Sequence, residues 1–96
     1  MSGQVDFVEV IVSGRVQGVG YREFARRAAE RCGVAGFVRN RSDGTVEARL
    51  VGPSDALAAM LAELRRGPPY GHVSKLEIVA RGEAQPQRGF FVTATL

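Results

Sequence analysis

Ninety-six residues suffice for one domain and are too few for two, and a hydrophobic content of 45% lets the chain bury a core with a thin margin of stability. No apolar run approaches the roughly 18 residues of a membrane span. The first four residues lack the basic-then-apolar pattern of a leader, and one cysteine with one histidine excludes an internal disulfide framework and argues against a protein-built zinc site. The formal charge of +3 (thirteen basic residues, ten acidic) would suit nucleic acid, an anionic surface or a small anionic substrate, and equally an ordinary solvated exterior.

In chain order, residues 7–13 (FVEVIVS) read as a strand with Val8, Val10 and Val12 on one face. Residues 14–20 (GRVQGVG) form a glycine-punctuated loop. From Tyr21 onward, Phe24, Ala25, Ala28, Ala29 and Cys32 make one apolar stripe on a helix, and Gly33 is a natural stop for it. Residues 34–41 read as a second strand, and Asp43-Gly44 supplies the left-handed conformations of a tight hairpin turn. The third strand, 45–51, sets Val46, Ala48 and Leu50 on one face. A second helix starts near Pro53, with Ser54 or Asp55 as its cap, and carries Leu57, Met60, Leu61 and Leu64 inward. Arg65 and Arg66 suit its negative end, and Gly67-Pro68-Pro69 stops it. Residues 73–80 make a fourth strand and 90–96 a short terminal fifth, with a polar loop over 81–89 between them.

The order is βαββαβ plus a last strand. It predicts an α+β, ferredoxin-like α/β sandwich, both helices on one face of a mainly antiparallel sheet. The whole chain, 1–96, reads as one domain, ordered from about residue 5. Fold alone is silent on function. The topology nevertheless makes the first and second strands parallel, separated by the third. Their carboxyl ends then share one edge, which sets the 14–20 loop beside Asn40.

Glycines at 14, 18 and 20 let that loop expose successive N–H groups, and the helix start adds its positive end, together an anion cradle. Neither a Walker A motif nor a dinucleotide fingerprint is present, and by itself the loop also fits a plain strand-to-helix connection. Arg22 changes the balance. A cation in the first turn opposes the helix dipole by roughly 0.3–1 kcal/mol, and a bound phosphate would reverse that penalty. Asn40 is a poor strand former at a strand end; its amide can donate and accept, as orienting a water requires, although turn chemistry would also explain it. Arg26, Arg27, Arg31, Arg65, Arg66 and His72 read as surface, Cys32 as a packed small hydrophobe, and Asp43 as a turn residue.

The segment Gly14-Arg-Val-Gln-Gly-Val-Gly-Tyr-Arg22 resembles the first signature of the acylphosphatase family, and Gly36-Phe-Val-Arg-Asn-Arg-Ser-Asp-Gly-Thr-Val46, followed by Gly52, resembles the second. Gly67-Pro-Pro, Leu76-Glu77-Ile78 and the Phe90 strand are similar as well, so the likeness spans nearly the whole chain. Tyr21 stands where many members have phenylalanine. The resemblance implies hydrolysis of the carboxyl–phosphate bond of an acyl phosphate. The phosphate would be held by Arg22 and by the loop of Arg15, Val16, Gln17, Gly18, Val19, Gly20 and Tyr21. Asn40 would position the water, and the substrate's own phosphate would help to deprotonate it.

No metal and no cofactor are expected. The leaving carboxylate has a conjugate-acid pKa of about 4 and departs without a general acid, and phosphoryl transfer through a loose transition state is mainly positioning and charge stabilisation. Inorganic phosphate is expected as product and competitive inhibitor, and the protein as a cytoplasmic monomer without nucleic-acid or membrane partners.

The alternative is a non-catalytic ferredoxin-like module that binds an anion or RNA. An RNA binder needs aromatics and basic residues interleaved on the open sheet face; the third strand offers Glu47 and Arg49, and the fourth Lys75 and Glu77, a mixed pattern. A third reading, the acylphosphatase-like domain of hydrogenase maturation proteins that processes carbamoyl phosphate, expects additional domains.

Overall fold

Alternation decides the first strand. β1 (Val5–Arg15) buries Val8, Val10 and Val12 and leaves Phe7, Glu9 and Ile11 half-buried on its other face, the period of two that a one-sided sheet imposes. The computed structural model describes residues 3–96; Met1 and Ser2, the start of the segment read as leaderless, lie outside it. After β1 come α1 (Tyr21–Cys32), β2 (Ala35–Asn40), β3 (Val46–Gly52), α2 (Ser54–Arg66), β4 (His72–Ala84) and β5 (Phe90–Val92). The sheet runs β4-β1-β3-β2-β5. Only the short β5 is parallel to its neighbour β2; β1 pairs antiparallel with β3 and β4, and β2 with β3. This is the expected ferredoxin-like arrangement. Ala25, Ala28 and Ala29 of α1 and Leu57, Met60 and Leu64 of α2 close one core with Val10, Val38, Val46 and Leu50 of the sheet. Because β1 and β2 both run antiparallel to the β3 between them, their carboxyl ends share an edge.

Several boundaries differ from the sequence reading, each for a tertiary reason. β1 continues through Gly14 and Arg15, which pair with Val73 and His72 of β4 after a register shift at Ser13/Gly14. Gly14 allows this: at φ 123° a Cβ there would run into the His72 carbonyl oxygen, a clash no other residue escapes. The loop therefore starts at Val16. β4 reaches Ala84 because β1 pairs with it as far as Val5, so the first four residues of the expected 81–89 loop are strand. β5 ends at Val92, yet the following residues still track β2, with the Thr93 and Leu96 N–H groups donating to the Val38 and Asn40 carbonyls.

Neither Ser54 nor Asp55 caps α2. Pro53 is the N-cap, extended at φ −63° and ψ 152°, and its carbonyl accepts the Leu57 N–H. Ser54 and Asp55 fall inside the first turn, where an acidic group suits the dipole. The β2–β3 hairpin is longer than a two-residue turn. Arg41 accepts the Gly44 N–H, and Arg41 donates to Thr45. Gly44 alone is left-handed (φ 91°), and Asp43 is not. A turn with a left-handed glycine after it matches the sheet twist without straining the aspartate.

Candidate active site

The loop between β1 and α1 is fastened at two points and open between them. Val16 is buried in the core, and Val19 packs against the same cluster. Gly18 (φ 74°) and Gly20 (φ 80°) are left-handed, a conformation that costs other residues about 1–2 kcal/mol. A methyl added at either would meet no atom within 4 Å. Gly20 is also the N-cap of α1, without a side chain to cap it. Among the described residues no backbone N–H from Gln17 to Glu23 has a protein acceptor. Loop and helix start thus present a run of unpaired donors, as an anion cradle requires.

Part of this run, Gly18 and Gly20 through Glu23, borders a cavity of about 360 Å³. The loop and helix start contribute Gly18, Gly20, Tyr21 and Arg22 to its wall, and the sheet contributes Asn40 and Val92. Arg22 is half-buried and makes no ion pair or hydrogen bond with any described residue. Its neighbour Glu23, also on the wall, is engaged: Arg26 holds its carboxylate at 2.7 Å and Arg27 at 3.1 Å. The Arg26 hydrogen bond, reinforced by Arg27, pulls the Glu23 carboxyl down to about 2. Glu23 is therefore ionised at neutral pH and has no proton to donate. Tyr21 keeps its proton but commits it elsewhere. Its hydroxyl donates to the Leu64 carbonyl at 2.7 Å, and burial raises its pKa above the ordinary phenol range. That bond ties the first residue of α1 to the last turn of α2, so the tyrosine adds an anchor that a phenylalanine would lack.

Asn40 ends β2 opposite Val46. Its side-chain oxygen is buried and has no hydrogen-bond partner among the described residues. Such an orphan costs about 1–3 kcal/mol, and a hydrogen-bond donor brought to it would relieve it.

The cavity therefore unites Arg22, Asn40, Val16, Gly18, Gly20 and Tyr21 from the sequence-predicted set. Three others stand apart from its wall. Arg15 is exposed at the end of β1 opposite His72. Val19 faces the core. The Gln17 amide is bound to the β2–β3 turn, 2.8 Å from each of the Arg41 and Thr45 carbonyls. Val92 and Glu23 line the cavity without having been singled out. Adjacency to Arg22 was a signal for Glu23; Val92 had none, since it arrives through the parallel pairing of β5 with β2.

On the open sheet face Phe7 and Phe37 do occur, but arginines cover them: the Arg49 guanidinium lies 4.2 Å from the Phe7 centroid and that of Arg39 5.4 Å from Phe37. Arg49 also pairs with Glu9 at 2.7 Å, and Arg39 with Glu47 at 3.2 Å.

Comparison with known proteins gives a family and a fold. The Acylphosphatase family model matches residues 8–92. An acylphosphatase of Azorhizobium caulinodans is 50% identical over 90 residues, covering 93% of this chain and 96% of its own length. One of Rhizobium etli is 48% identical over 94 residues, 97% and 99% of the two chains. The crystal structure of acylphosphatase from Bacillus subtilis superposes with a TM-score of 0.82 at 33% identity, covering 93% of this chain and 99% of that one.

Proposed function

The chain belongs to the acylphosphatase family, and on that footing we propose that Arg22 and Asn40 are its catalytic pair, with the phosphoryl group held by the backbone N–H groups of the 16–20 loop. The enzyme hydrolyses an acyl phosphate to a carboxylate and inorganic phosphate. One observation carries the assignment of residues: a single cavity is lined by the unpaired Arg22, by the glycine loop and helix start with their open backbone donors, and by Asn40, whose buried side-chain oxygen lacks a partner.

In this reading the loop and Arg22 grip the phosphoryl oxygens and stabilise the charge that spreads over them in the loose transition state. The Asn40 oxygen accepts a hydrogen bond from the attacking water and aligns it with phosphorus. The water oxygen bonds to phosphorus as the bond from phosphorus to the acyl oxygen breaks; that electron pair leaves on the carboxylate, and a proton of the water passes to a phosphoryl oxygen of the substrate. A leaving group this weakly basic takes no proton from the enzyme, in keeping with a wall whose carboxyl, Glu23, is already ionised. No cofactor or metal enters the scheme.

Residues 1–96 are read as one domain, ordered from about residue 5 and acting as a monomer, with inorganic phosphate as competitor. The paired arginines of the open sheet face disfavour a nucleic-acid partner. No helix among the described residues is long and apolar enough to cross a membrane, and a free half-buried Cys32 suits the reducing cytoplasm to which we assign the protein. The test is turnover of benzoyl phosphate by purified protein, with and without EDTA. Metal-insensitive hydrolysis, inhibited by phosphate at about millimolar levels, is expected. Folded protein without turnover, or activity lost to EDTA and restored by a divalent ion, would refute the scheme.

A further inference from the structure

The glycine loop and the β2–β3 turn are far apart in sequence, and one side chain joins them. The Gln17 Nε2 donates to the Arg41 carbonyl, 24 residues away, and to the Thr45 carbonyl, 28 residues away, both at 2.8 Å. Both of its hydrogens are thereby engaged, so none remains for a bound phosphate. The two carbonyls are those that build the turn: Arg41 O also accepts the Gly44 N–H at 3.1 Å, and Thr45 O the Arg41 N–H at 2.9 Å. Each oxygen has two lone pairs, and Gln17 takes the second of each. Asn40 immediately precedes this turn.

We propose that Gln17 is a positioning residue, locking the phosphate cradle to the turn that carries Asn40 so that bound phosphorus and the oriented water share one frame. The proposal rests on the assignment of Arg22 and Asn40 above. It changes the role of Gln17 from phosphate ligand to alignment device: its backbone belongs to the cradle, while its side chain acts through Asn40. Misalignment of a reacting pair by about 1 Å can lower a rate by roughly 10²-fold. A loop that keeps its other anchors, Val16 and Val19, should lose somewhat less.

The experiment is a double-mutant cycle between Gln17→Ala and Asn40→Ala, with kcat on benzoyl phosphate and Kd for inorganic phosphate measured for each protein. Gln17→Ala should lower kcat by about 10- to 50-fold with phosphate Kd within about threefold. In the Asn40→Ala background the same change should lower kcat by less than about threefold, because the water it would misalign has already lost its partner. Equal losses in both backgrounds would overturn the proposal, as would a tenfold or greater weakening of phosphate binding at unchanged kcat, which would return Gln17 to the ligands. Wild-type turnover by Asn40→Ala would instead sink the assignment of Asn40, a distinct failure. Gln17→Glu serves as the second variant, nearly isosteric but without donors when ionised. Its kcat relative to wild type should rise as pH falls from about 7 to about 4, through the carboxyl range, and the carboxyl regains one donor. A flat ratio would exclude the donor role.

Discussion

α1 and α2 both begin without a side-chain cap, and the two starts serve different ends. At α2 the N-cap is Pro53, whose carbonyl accepts the Leu57 N–H and which has no N–H of its own to satisfy. Asp55 follows in the first turn and complements the dipole. At α1 the N-cap is a left-handed glycine, and the acid of the first turn, Glu23, is drawn to Arg26 and Arg27. Arg22 is left beside open donors and on the wall of a cavity. An uncapped helix start is ordinary where a carboxylate completes it. It becomes an anion site where the adjacent charge has the wrong sign for the helix and the right sign for a ligand.

The largest effect should come from erasing that difference. Arg22→Gln should lower kcat/KM on benzoyl phosphate by about 10³-fold or more, in the range seen when a transition-state arginine is removed, and should weaken phosphate binding. Stability should hold or rise by about 0.3–1 kcal/mol, since a cation leaves the positive end of a helix. Kinetics, a phosphate titration and a thermal melt on one preparation check this; a variant that kept most of its activity would move the anion site elsewhere.

Next in size is Asn40→Ala, which sharpens the comparison by sparing the helix start. Phosphate affinity should stay within a few fold while kcat falls on the order of 10²-fold. If Asn40 served only the hairpin, the pattern would invert: a lower melting temperature with normal turnover for the folded fraction.

The smallest effect is expected at the other helix. Asp55→Asn should cost about 0.3–1 kcal/mol of stability, more at low ionic strength, with kcat and KM unchanged. Urea melts at two salt concentrations would measure it. A change in turnover would mean that the two helix starts are coupled, and the Tyr21–Leu64 hydrogen bond would be the first place to look.

How much of this was legible beforehand depends on how far each interaction reaches along the chain. α1 could be read to the residue, because a 3.6-residue stripe and the stop at Gly33 are local properties. The parallel course of β1 and β2, and with it the meeting of Arg22 and Asn40 at one cavity, followed from element order. Arg15 was misplaced into the loop because its conformation depends on β4, some sixty residues further on. The same distance hid the reach of β4 and the arrival of Val92 at the cavity.

The amino-acid sequence alone therefore determined the elements, the layer order and the glycine-rich loop with its misplaced cation, all consequences of side-chain period and backbone sterics over a few residues. Tertiary structure decided what each polar group meets. It turned the Gln17 amide into the hairpin and gave the Tyr21 hydroxyl a carbonyl on α2. It also left the Asn40 oxygen buried without a partner. A hydrogen bond depends on the placement of two groups within tenths of an ångström, and that placement exists only once strands and helices distant in sequence have packed.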